Sequence, residues 1–502
     1  MAPMEETLAD LREDYERLRA LYSSAQERVQ AFSIHLDKAH GSYVKPTRVY
    51  VKSQADGLQA ILQGISAEVE RVLKNDALWN VGHEEELIQK KKEYGDLLRT
   101  FHATLGGLLS SGNWQSPSIW HTHTAQAGNE TGKISVSAND YKRDMHIDEK
   151  RYGQQFVKAY VDHPLRLAPF AFPTSSGMSA VTTVLTSLHS RVAPDSVVMV
   201  GQASYFQNKW QLEKLFPGQI HYVDEFDTEN MLLMAEKLQP SIVFLDSICG
   251  AESLAMPNLS VLIPKLSNLL SAESTLVLDN TGLASFCQPL RDLPLKPLGG
   301  MKLVVVESLL KFHQFGFDRA GGGIIWTPVG SEQGMFEARM HLGTIMPDAS
   351  VLAMPVPDRE LFDTRLSRIG RNAKIFAQEL DEFVGDGKGM LARVVHPSLP
   401  SHGAYSWAKD LPFQGPFVTL SFKEEKQDVS NYDAFVSRVE KAAQAAGVDI
   451  VGGTSFGFDT TRLYVTARYA TNITAPFVRV SLGTETRGEL DALIAVFKKA
   501  LS

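Results

Sequence analysis

The sequence predicts an α/β fold with a mostly parallel central sheet, preceded by an extra helical segment and followed by a smaller α+β domain. Amphipathic stripes run through the first part, short apolar runs alternate with helical stretches in the middle, and helices mix with strands at the end. The predicted boundaries are 1–112 for the helical extension, 113–160 for an arm or linker, 161–345 for the large domain and 346–502 for the small domain.

Helical periodicity defines the N-terminal extension. Apolar residues recur at steps of three and four from Leu8 to Val29, from Leu58 to Val72 and from Leu87 to Leu108. Such stripes indicate packing against a core or a partner helix, and nothing in them predicts catalysis.

Residues 112–145 are polar, rich in Gly, Ser, Thr and Asn, and contain two tryptophans. This composition predicts a long loop or arm, and a stretch of that length without secondary structure is more often functional than accidental. His121 and His123 form an H-x-H pair, but no third ligand is placed by the same element, so we predict no metal site.

Short apolar runs predict the strands of the central sheet, and longer helical or loop stretches separate them. The runs are Ser196 to Val200, Ile242 to Leu245, Thr275 to Leu278 and Lys302 to Val306. Ligands bind outside the carboxyl ends of such strands, so the residues that follow each run are candidates for chemistry.

The C-terminal part mixes two helical patterns with two strand patterns. Helices are predicted at Leu366 to Val384 and Tyr432 to Ala446, and strands at Phe417 to Phe422 and Phe477 to Leu482. This mixture predicts the smaller α+β domain.

The composition is that of a globular protein and excludes a disordered or fibrous one. The 502 residues include 50 Lys and Arg against 58 Asp and Glu, a net charge of −8, and 44% are apolar. Nucleic acid is not expected as a partner, because phosphate binding needs a concentrated basic face. The basic run Lys90 to Lys92 is most simply a solvated helix face.

Two cysteines, Cys249 and Cys287, are too few for a disulfide framework or a four-thiolate metal site, and they indicate a reducing compartment. The N-terminal stretch is acidic and helical, and no apolar run approaches the roughly 20 residues that a membrane span requires. We therefore expect a cytoplasmic protein without membrane contact.

Four fragments with small or reactive side chains fall where strands are expected to end. The segment Thr174 to Ala180 (TSSGMSA) opens a helix, whose free N–H groups and positive dipole end would seat a phosphate; an ordinary Ser-Gly cap is the alternative. The other fragments are Ser204 to Phe206, Leu278 to Thr281 and Glu307 to Phe312.

Two of these fragments carry the charges that predict chemistry. Asp279 ends an apolar run, where its carboxylate would require a cationic or hydrogen-bonding partner such as a protonated pyridine nitrogen. Lys311 follows another apolar run, and burial there would lower its pKa and make the amine a nucleophile for a carbonyl carbon. The position is compatible with a Schiff base at Lys311, and the alternative for either residue is a salt bridge, including one to the other.

In this order the fragments resemble the Cys/Met-metabolism family of pyridoxal 5'-phosphate (PLP) enzymes, the group of cystathionine γ-synthase, cystathionine γ-lyase and methionine γ-lyase. The resemblance covers about residues 141–485 and implies the fold type I, aminotransferase-like architecture. The segment SSGMSA is similar to the family's phosphate loop, LDNT to the strand whose aspartate pairs with the pyridine nitrogen, and S-x-x-K-F to the segment of the Schiff-base lysine.

The resemblance implies catalytic roles for Lys311, Asp279 and Tyr205. It also implies that Arg479 grips the substrate carboxylate and that Ser455 lies in a substrate loop. The residues implied to bind the cofactor are Ser176, Gly177, Met178, Tyr205, Asp279, Thr281, Ser308 and Lys311, with Tyr141 and Arg143 supplied by a neighbouring subunit. A homodimer or homotetramer with shared active sites follows from that last pair.

The chain departs from the family pattern around the substrate side of the cofactor. Leu310 replaces the threonine before the lysine, Phe315 replaces the glycine four residues after it, and Asn208 and Trp210 replace a Gly/Thr-rich turn. No residue after Leu245 matches the asparagine that touches the cofactor ring. These changes leave PLP binding expected and point away from a housekeeping substrate.

The resemblance implies a PLP-dependent lyase or transferase for β- or γ-elimination or replacement on a small-molecule amino acid. The expected donor is a homoserine ester, a sulfur amino acid or S-adenosylmethionine. The extra segments suggest a larger acceptor, and one expected reaction is formation of a carbon–carbon bond to that acceptor in secondary metabolism. The alternatives are a fold type I aminotransferase or decarboxylase, and a non-catalytic PLP-fold scaffold.

Overall fold

The structure is a computed structural model, and it confirms the predicted α/β class and the helical N-terminal segment. It describes residues 3–38, 45–111, 146–164, 167–294, 300–385, 389–466 and 475–502. The predicted domain boundaries remain predictions, and residues 113–145 of the predicted arm lie outside the described residues.

Helices in the described residues are α1 (Pro3–Lys38), α2 (Lys45–Lys74), α3 (Glu84–Ser111), α4 (Ile147–Tyr160), α5 (Gly177–His189), α6 (Phe206–Leu215), α7 (Thr228–Leu238), α8 (Leu259–Leu269), α9 (Pro289–Asp292), α10 (Met335–Leu342), α11 (Asp348–Ala353), α12 (Arg359–Gly385), α13 (Tyr405–Ala408), α14 (Val429–Ala446) and α15 (Arg487–Leu501). Short 3-10 helices lie at Asp76–Leu78, Val81–His83, Ala284–Phe286 and Glu424–Lys426.

The strands are β1 (Pro169–Thr174), β2 (Val198–Gly201), β3 (Ile220–Val223), β4 (Ile242–Asp246), β5 (Thr275–Asp279), β6 (Lys302–Ser308), β7 (Gly323–Pro328), β8 (Leu391–Val395), β9 (Phe417–Phe422), β10 (Val451–Gly452), β11 (Arg462–Thr466) and β12 (Phe477–Ser481).

The large sheet has the strand order β1-β7-β6-β5-β4-β2-β3. Its strands β3, β2, β4, β5 and β6 are parallel, whereas β7 is antiparallel to both β6 and β1. Strands β2 and β4 are buried along their whole length, as expected for a parallel sheet covered by helices on both faces. The carboxyl ends of β2, β4, β5 and β6 therefore meet along one edge.

A second sheet of order β10-β11-β12-β9-β8 packs with α12, α14 and α15 in the C-terminal part. Its strands are antiparallel except for the β10–β11 pair. Helix α15 begins at a capping box in which the Thr486 and Glu489 side chains each accept the other residue's backbone N–H. This sheet brings β12 and the loop before β11 toward the edge of the large sheet.

The N-terminal helices pack on one another and on the rest of the chain. A Cβ atom on Gly106 of α3 would lie 2.4 Å from the Ala349 carbonyl oxygen of α11, so the two helices approach at a distance that glycine permits. The prediction that Lys90 to Lys92 form a solvated face is wrong for Lys91. That side chain is 14% exposed and forms ion pairs with Asp14 at 3.2 Å and Glu489 at 3.1 Å.

Candidate active site

The edge of the large sheet gathers several of the predicted residues. Asp279 ends β5 and lies in register with Asp246, which ends β4. Ser308 ends β6, and the turn after β2 leads to Tyr205 at the start of α6. Side chains from separate strands thus converge because parallel strands end on the same side of the sheet.

The start of α5 packs directly against the end of β6. Ser176 is the N-cap, and its hydroxyl accepts the Ser179 N–H at 3.0 Å. A Cβ atom on Gly177 would lie 2.7 Å from the Ser308 Cβ, so the helix start and the end of β6 form one wall. Met178 follows in the first turn. Backbone N–H groups in such a turn, together with the helix dipole, favour a bound phosphate.

The carboxylate of Asp279 is held by hydrogen bonds. Its Oδ2 accepts the Asn208 amide N–H at 3.0 Å, and its Oδ1 accepts the Thr281 backbone N–H at 3.1 Å. The Thr281 hydroxyl in turn accepts the backbone N–H of Ser308 at 3.0 Å. Burial raises the pKa of Asp279, although these hydrogen bonds oppose the rise. Asp279 has no cationic side-chain partner among the described residues.

Asp246 is a site residue that the sequence analysis missed. Its side chain is 4% exposed; Oδ2 accepts the Tyr205 N–H at 2.9 Å, while Oδ1 has no hydrogen-bond partner in the described part of the chain. Burial and the charge of Asp279 raise the pKa of Asp246 well above its ordinary value. The sequence did contain a signal for Asp246, since it ends an apolar run just as Asp279 does. Asn208, which binds Asp279, had been named only as a departure from the family's Gly/Thr-rich turn.

Lys311 lies just beyond β6, and its amine donates a hydrogen bond to the Ser455 hydroxyl at 2.5 Å. The alternative of a salt bridge to Asp279 does not occur. Burial lowers the pKa of Lys311 to about 8, and the positive charge of Arg479 adds to this effect. About one amine in ten is then neutral at pH 7, against about one in 3000 for an ordinary lysine.

The loop that carries Ser455 has an unusual backbone. Ser455 has φ 78° and Gly457 has φ 86°, both in the left-handed region. A Cβ atom on Gly457 would lie 2.6 Å from the carbonyl carbon of Lys311, so the loop sits directly against the lysine. Phe315, which replaces the family's glycine, adopts φ 50°.

Arg479 reaches the site from β12. Its guanidinium donates weakly to the Gly250 carbonyl at 3.4 Å and the Thr454 hydroxyl at 3.5 Å, and it lies 5.0 Å from the centre of the Phe417 ring. The Nε atom has no hydrogen-bond partner, and no carboxylate pairs with Arg479 among the residues described. Arg479 therefore makes only long hydrogen bonds and has no counter-charge within the part of the chain that the structure describes.

Tyr205 is 38% exposed, and its hydroxyl donates to the Gln207 side chain at 3.1 Å. Partial burial raises its pKa, while Arg479 acts in the opposite direction. Its electrostatic neighbours include Asp279, so Tyr205 belongs to the same group of side chains. Tyr141 and Arg143, predicted to reach a neighbouring subunit, lie outside the described residues.

Comparison with known proteins identifies the family. The model of the Cys/Met metabolism PLP-dependent enzyme family matches residues 115–502. The chain belongs to this family. It is therefore a PLP-dependent enzyme whose cofactor is pyridoxal 5'-phosphate, as the sequence motifs implied.

The individual proteins that this chain resembles have low sequence identity to it. Bifunctional enzyme flvA of Aspergillus flavus is 26% identical over 317 residues, which cover 62% of this chain, and the chain spans 37% of that protein's length. Cystathionine γ-synthase of Xanthomonas oryzae pv. oryzae, solved with cystathionine, has a TM-score of 0.56 and 19% identity, covering 80% of this chain and 98% of its own. The methionine γ-lyase CalE6 of Micromonospora echinospora has a TM-score of 0.56 and 18% identity, with coverages of 72% and 88%. At these identities the structures show a shared fold.

The side chains at the sheet edge fit PLP. A Cβ atom on Gly177 would collide with Ser308, so glycine lets the first turn of α5, whose N–H groups suit a phosphate, lie against the end of β6. The buried Asp279 carboxylate has no cationic partner among the described residues, and a pyridinium N–H would supply one. Among the described residues, no group of three or more His, Cys, Asp or Glu could hold a metal ion. Within the same residues we find no helix with the length and apolarity needed to cross a membrane.

Proposed function

We propose that the protein is a PLP-dependent lyase or transferase that eliminates or replaces a substituent at Cβ or Cγ of an amino acid. The observation that carries this proposal is that Lys311, Asp279 and Arg479 lie in one neighbourhood. Lys311 donates to Ser455, Arg479 contacts the adjacent Thr454, and Asp279 is linked through Thr281 to Ser308, three residues before the lysine. An amine nucleophile, a carboxylate and a carboxylate receptor in one place match the needs of amino-acid chemistry on PLP.

Each residue has a proposed place around the cofactor. Asp279 would pair with the ring nitrogen, Tyr205 would stack on the ring, and Thr281 would fix the strand ends beside it. The phosphate would be bound by Ser176, Gly177, Met178 and Ser308. When bound, PLP supplies an electron sink that makes the Cα proton of an amino acid acidic.

Lys311 would attach the cofactor and then hold or move the proton at Cα of the substrate. Its lowered pKa makes the neutral amine available near pH 7, and Ser455 fixes the direction of its Nζ atom. Arg479 would bind the substrate carboxylate in a bidentate manner and thereby orient the Cα–H bond. Tyr205 would serve as an acid or base toward the leaving group.

The donor that we propose is a homoserine ester, a sulfur amino acid or S-adenosylmethionine, and the acceptor is a larger carbon nucleophile. Exposed aromatic side chains support an apolar acceptor, because Phe206 and Trp210 are 66% and 60% exposed on α6 beside Tyr205. Loss of the γ substituent leaves an electrophilic carbon, which a carbon nucleophile would capture to form a carbon–carbon bond. We further propose a cytoplasmic homodimer or homotetramer in which Tyr141 and Arg143 serve a neighbouring subunit's site.

Product analysis tests the proposed reaction. The PLP-loaded chain is incubated with O-acetylhomoserine, O-succinylhomoserine or S-adenosylmethionine, with and without an enolisable carbonyl compound as acceptor. We expect release of the γ substituent, with a replacement product when the acceptor is present. A keto acid that retains its γ substituent, or carbon dioxide alone, would instead identify an aminotransferase or a decarboxylase.

Borohydride reduction separates an enzyme from a scaffold. We expect the PLP-loaded protein to absorb visible light and, after reduction, to carry the cofactor mass on Lys311. The Lys311→Ala variant should lose both signals, whereas Lys302→Ala, at the opposite end of the same strand, should keep them. A colourless protein with unmodified Lys311 would support the non-catalytic reading.

A further inference from the structure

The N-terminal helices contact both chain segments that surround Lys311. One segment is the loop 454–459, which carries Ser455; the other is the turn 312–317, which follows the lysine. Helices α1 and α3 each reach one of them.

On the loop side, an ion pair joins α1 to the segment of Ser455. The Asp459 carboxylate lies 3.6 Å from the Arg17 guanidinium of α1 and 3.0 Å from that of Arg365 in α12. Arg365, which is fully buried, also donates to the Gly457 carbonyl at 3.0 Å. Partial burial acts to raise the pKa of Asp459, but the guanidinium groups of Arg365 and Arg17, together with the Thr484 hydrogen bond and Arg99, outweigh it and bring that pKa to about 2.

On the other side, α3 holds the turn after the lysine. Arg99 donates to the Gly316 carbonyl at 3.4 Å, and the His102 ring stacks on Phe317 with centres 4.6 Å apart. Gly316 has φ 88°, and a Cβ atom there would lie 2.8 Å from Arg365. The turn and the loop thus meet the same buried guanidinium.

Arg17 is itself anchored. Asp14 is fully buried and lies 3.2 Å from Arg17 and 3.2 Å from Lys91 of α3. Separating a buried carboxylate from its cationic partners would leave an uncompensated charge, which is strongly unfavourable. Asp14 therefore holds Arg17 and Lys91 in a defined position.

We propose that Arg17 and Asp459 are positioning residues, through which the N-terminal helices keep the 454–459 loop, and with it Ser455, against the Lys311 amine. This assigns the helical extension a role at the active site. Only the consequence for the reaction rests on the proposed function; the contact itself does not.

Loosening this contact has a chemical consequence at the lysine. Water that enters beside Lys311 would reduce the desolvation that lowers its pKa, which would then move from about 8 toward its ordinary 10.5. The charged groups that act on Lys311 are Arg479, Asp318, Arg462 and Asp279. None of these is altered in the variants below.

Hydrogen exchange of the full-length, PLP-loaded chain tests the contact directly. In Arg17→Gln we expect backbone amides of residues 454–459 to exchange about tenfold faster, equivalent to about 1.4 kcal/mol of local stability. The matched control is Arg19→Gln on the same helix, since Arg19 is 45% exposed and pairs with Glu16 and Glu70. Arg17→Lys, which keeps the charge, should restore most of the protection.

Competitive amine labelling provides a second readout that does not depend on turnover. After PLP is removed with hydroxylamine, trace acetic anhydride labels the full chain across pH 6–11, and mass spectrometry reads the titration midpoint of Lys311. We expect the midpoint in Arg17→Gln to rise by at least about half a pH unit relative to Arg19→Gln.

Equal loop exchange and equal midpoints in these two glutamine variants, with cooperative melting in both, would overturn the proposal. If Arg17→Gln does not melt cooperatively, Asp459→Asn decides in its place, because it removes the same ion pair from the loop side. Faster exchange of residues 454–459 then supports the proposal, and unchanged exchange refutes it. If loop exchange and the Lys311 midpoint shift as expected but no γ-substituted amino acid is turned over, the proposed function is wrong and the positioning role is still supported.

Discussion

Two regions of this protein shift the pKa values of carboxylates in opposite directions. At the edge of the large sheet, Asp246 and Asp279 lack a cationic partner among the described residues, and burial raises both pKa values. Where the N-terminal helices meet the C-terminal part, Asp459 and Glu489 each face two cationic side chains. Burial opposes ionisation there as well, but the cations bring both pKa values to about 2.

This difference distinguishes carboxylates that can bind a ligand from carboxylates that stabilise the packing of the helices. Charges paired within the chain stabilise one arrangement of helices and have nothing left to offer a ligand. Charges left without a partner are costly until a ligand supplies one, which is why perturbed pKa values collect at functional sites. The comparison therefore predicts that substitutions in the two regions change different properties.

The largest effect is expected at the sheet edge. Asp279→Asn removes the charge that would keep the pyridine nitrogen protonated, so we expect kcat/KM to fall about 1000-fold, or about 4 kcal/mol, with PLP still bound. Steady-state kinetics and visible absorbance measure the two quantities. The control is Glu273→Gln just before the same strand, where the side chain is 92% exposed. Loss of less than threefold in Asp279→Asn would remove the distinction between the regions.

A stability effect of about 3 kcal/mol is expected at the helical contact. Asp14→Asn leaves Arg17, Lys91 and Arg368 without a shared counter-charge, and breaking a buried group of this kind costs about that much. Urea unfolding gives the free energy of unfolding. Asp56→Asn, with a side chain 59% exposed on α2, is the control and should change it by less than about 0.5 kcal/mol. Equal losses in both variants would contradict the comparison.

A smaller effect, on substrate affinity, is expected for Arg479→Lys. Lysine keeps the charge but cannot form two parallel hydrogen bonds to a carboxylate, so KM for the amino acid should rise about 30-fold with a lesser change in kcat. The equivalent substitution Arg393→Lys, on β8 of the same sheet and 56% exposed, serves as control. An unchanged KM would show that Arg479 does not bind the substrate carboxylate.

The smallest effect concerns pH. The Asn208 hydrogen bond favours the ionised form of Asp279 and lowers its pKa, so Asn208→Ala should raise that pKa. The acid limb of the kcat/KM profile should then move to higher pH by about half a unit. The exposed Asn230→Ala serves as control. A shift in the opposite direction would contradict the assigned hydrogen bond.

Local patterns were sufficient for six of the twelve strands in the described residues (β2, β4, β5, β6, β9 and β12) and for the charged residues at or just after the ends of β5 and β6. An apolar run that ends in a charged residue has few ways to satisfy that charge, so Asp279 and Lys311 could be singled out without coordinates. Asp246 carried the same signal but matched no motif. The amide of Asn208 contacts a carboxylate 71 positions away, and no local pattern reports that distance.

The sequence by itself determined the α/β class, the helical extension and the family, because apolar periodicity and strand-end motifs are local properties of the chain. Only the tertiary structure decided which charges are paired, as the burial of Lys91 between Asp14 and Glu489 shows. Ion pairing depends on distance in space and on exclusion of water, and both are settled when remote segments pack together.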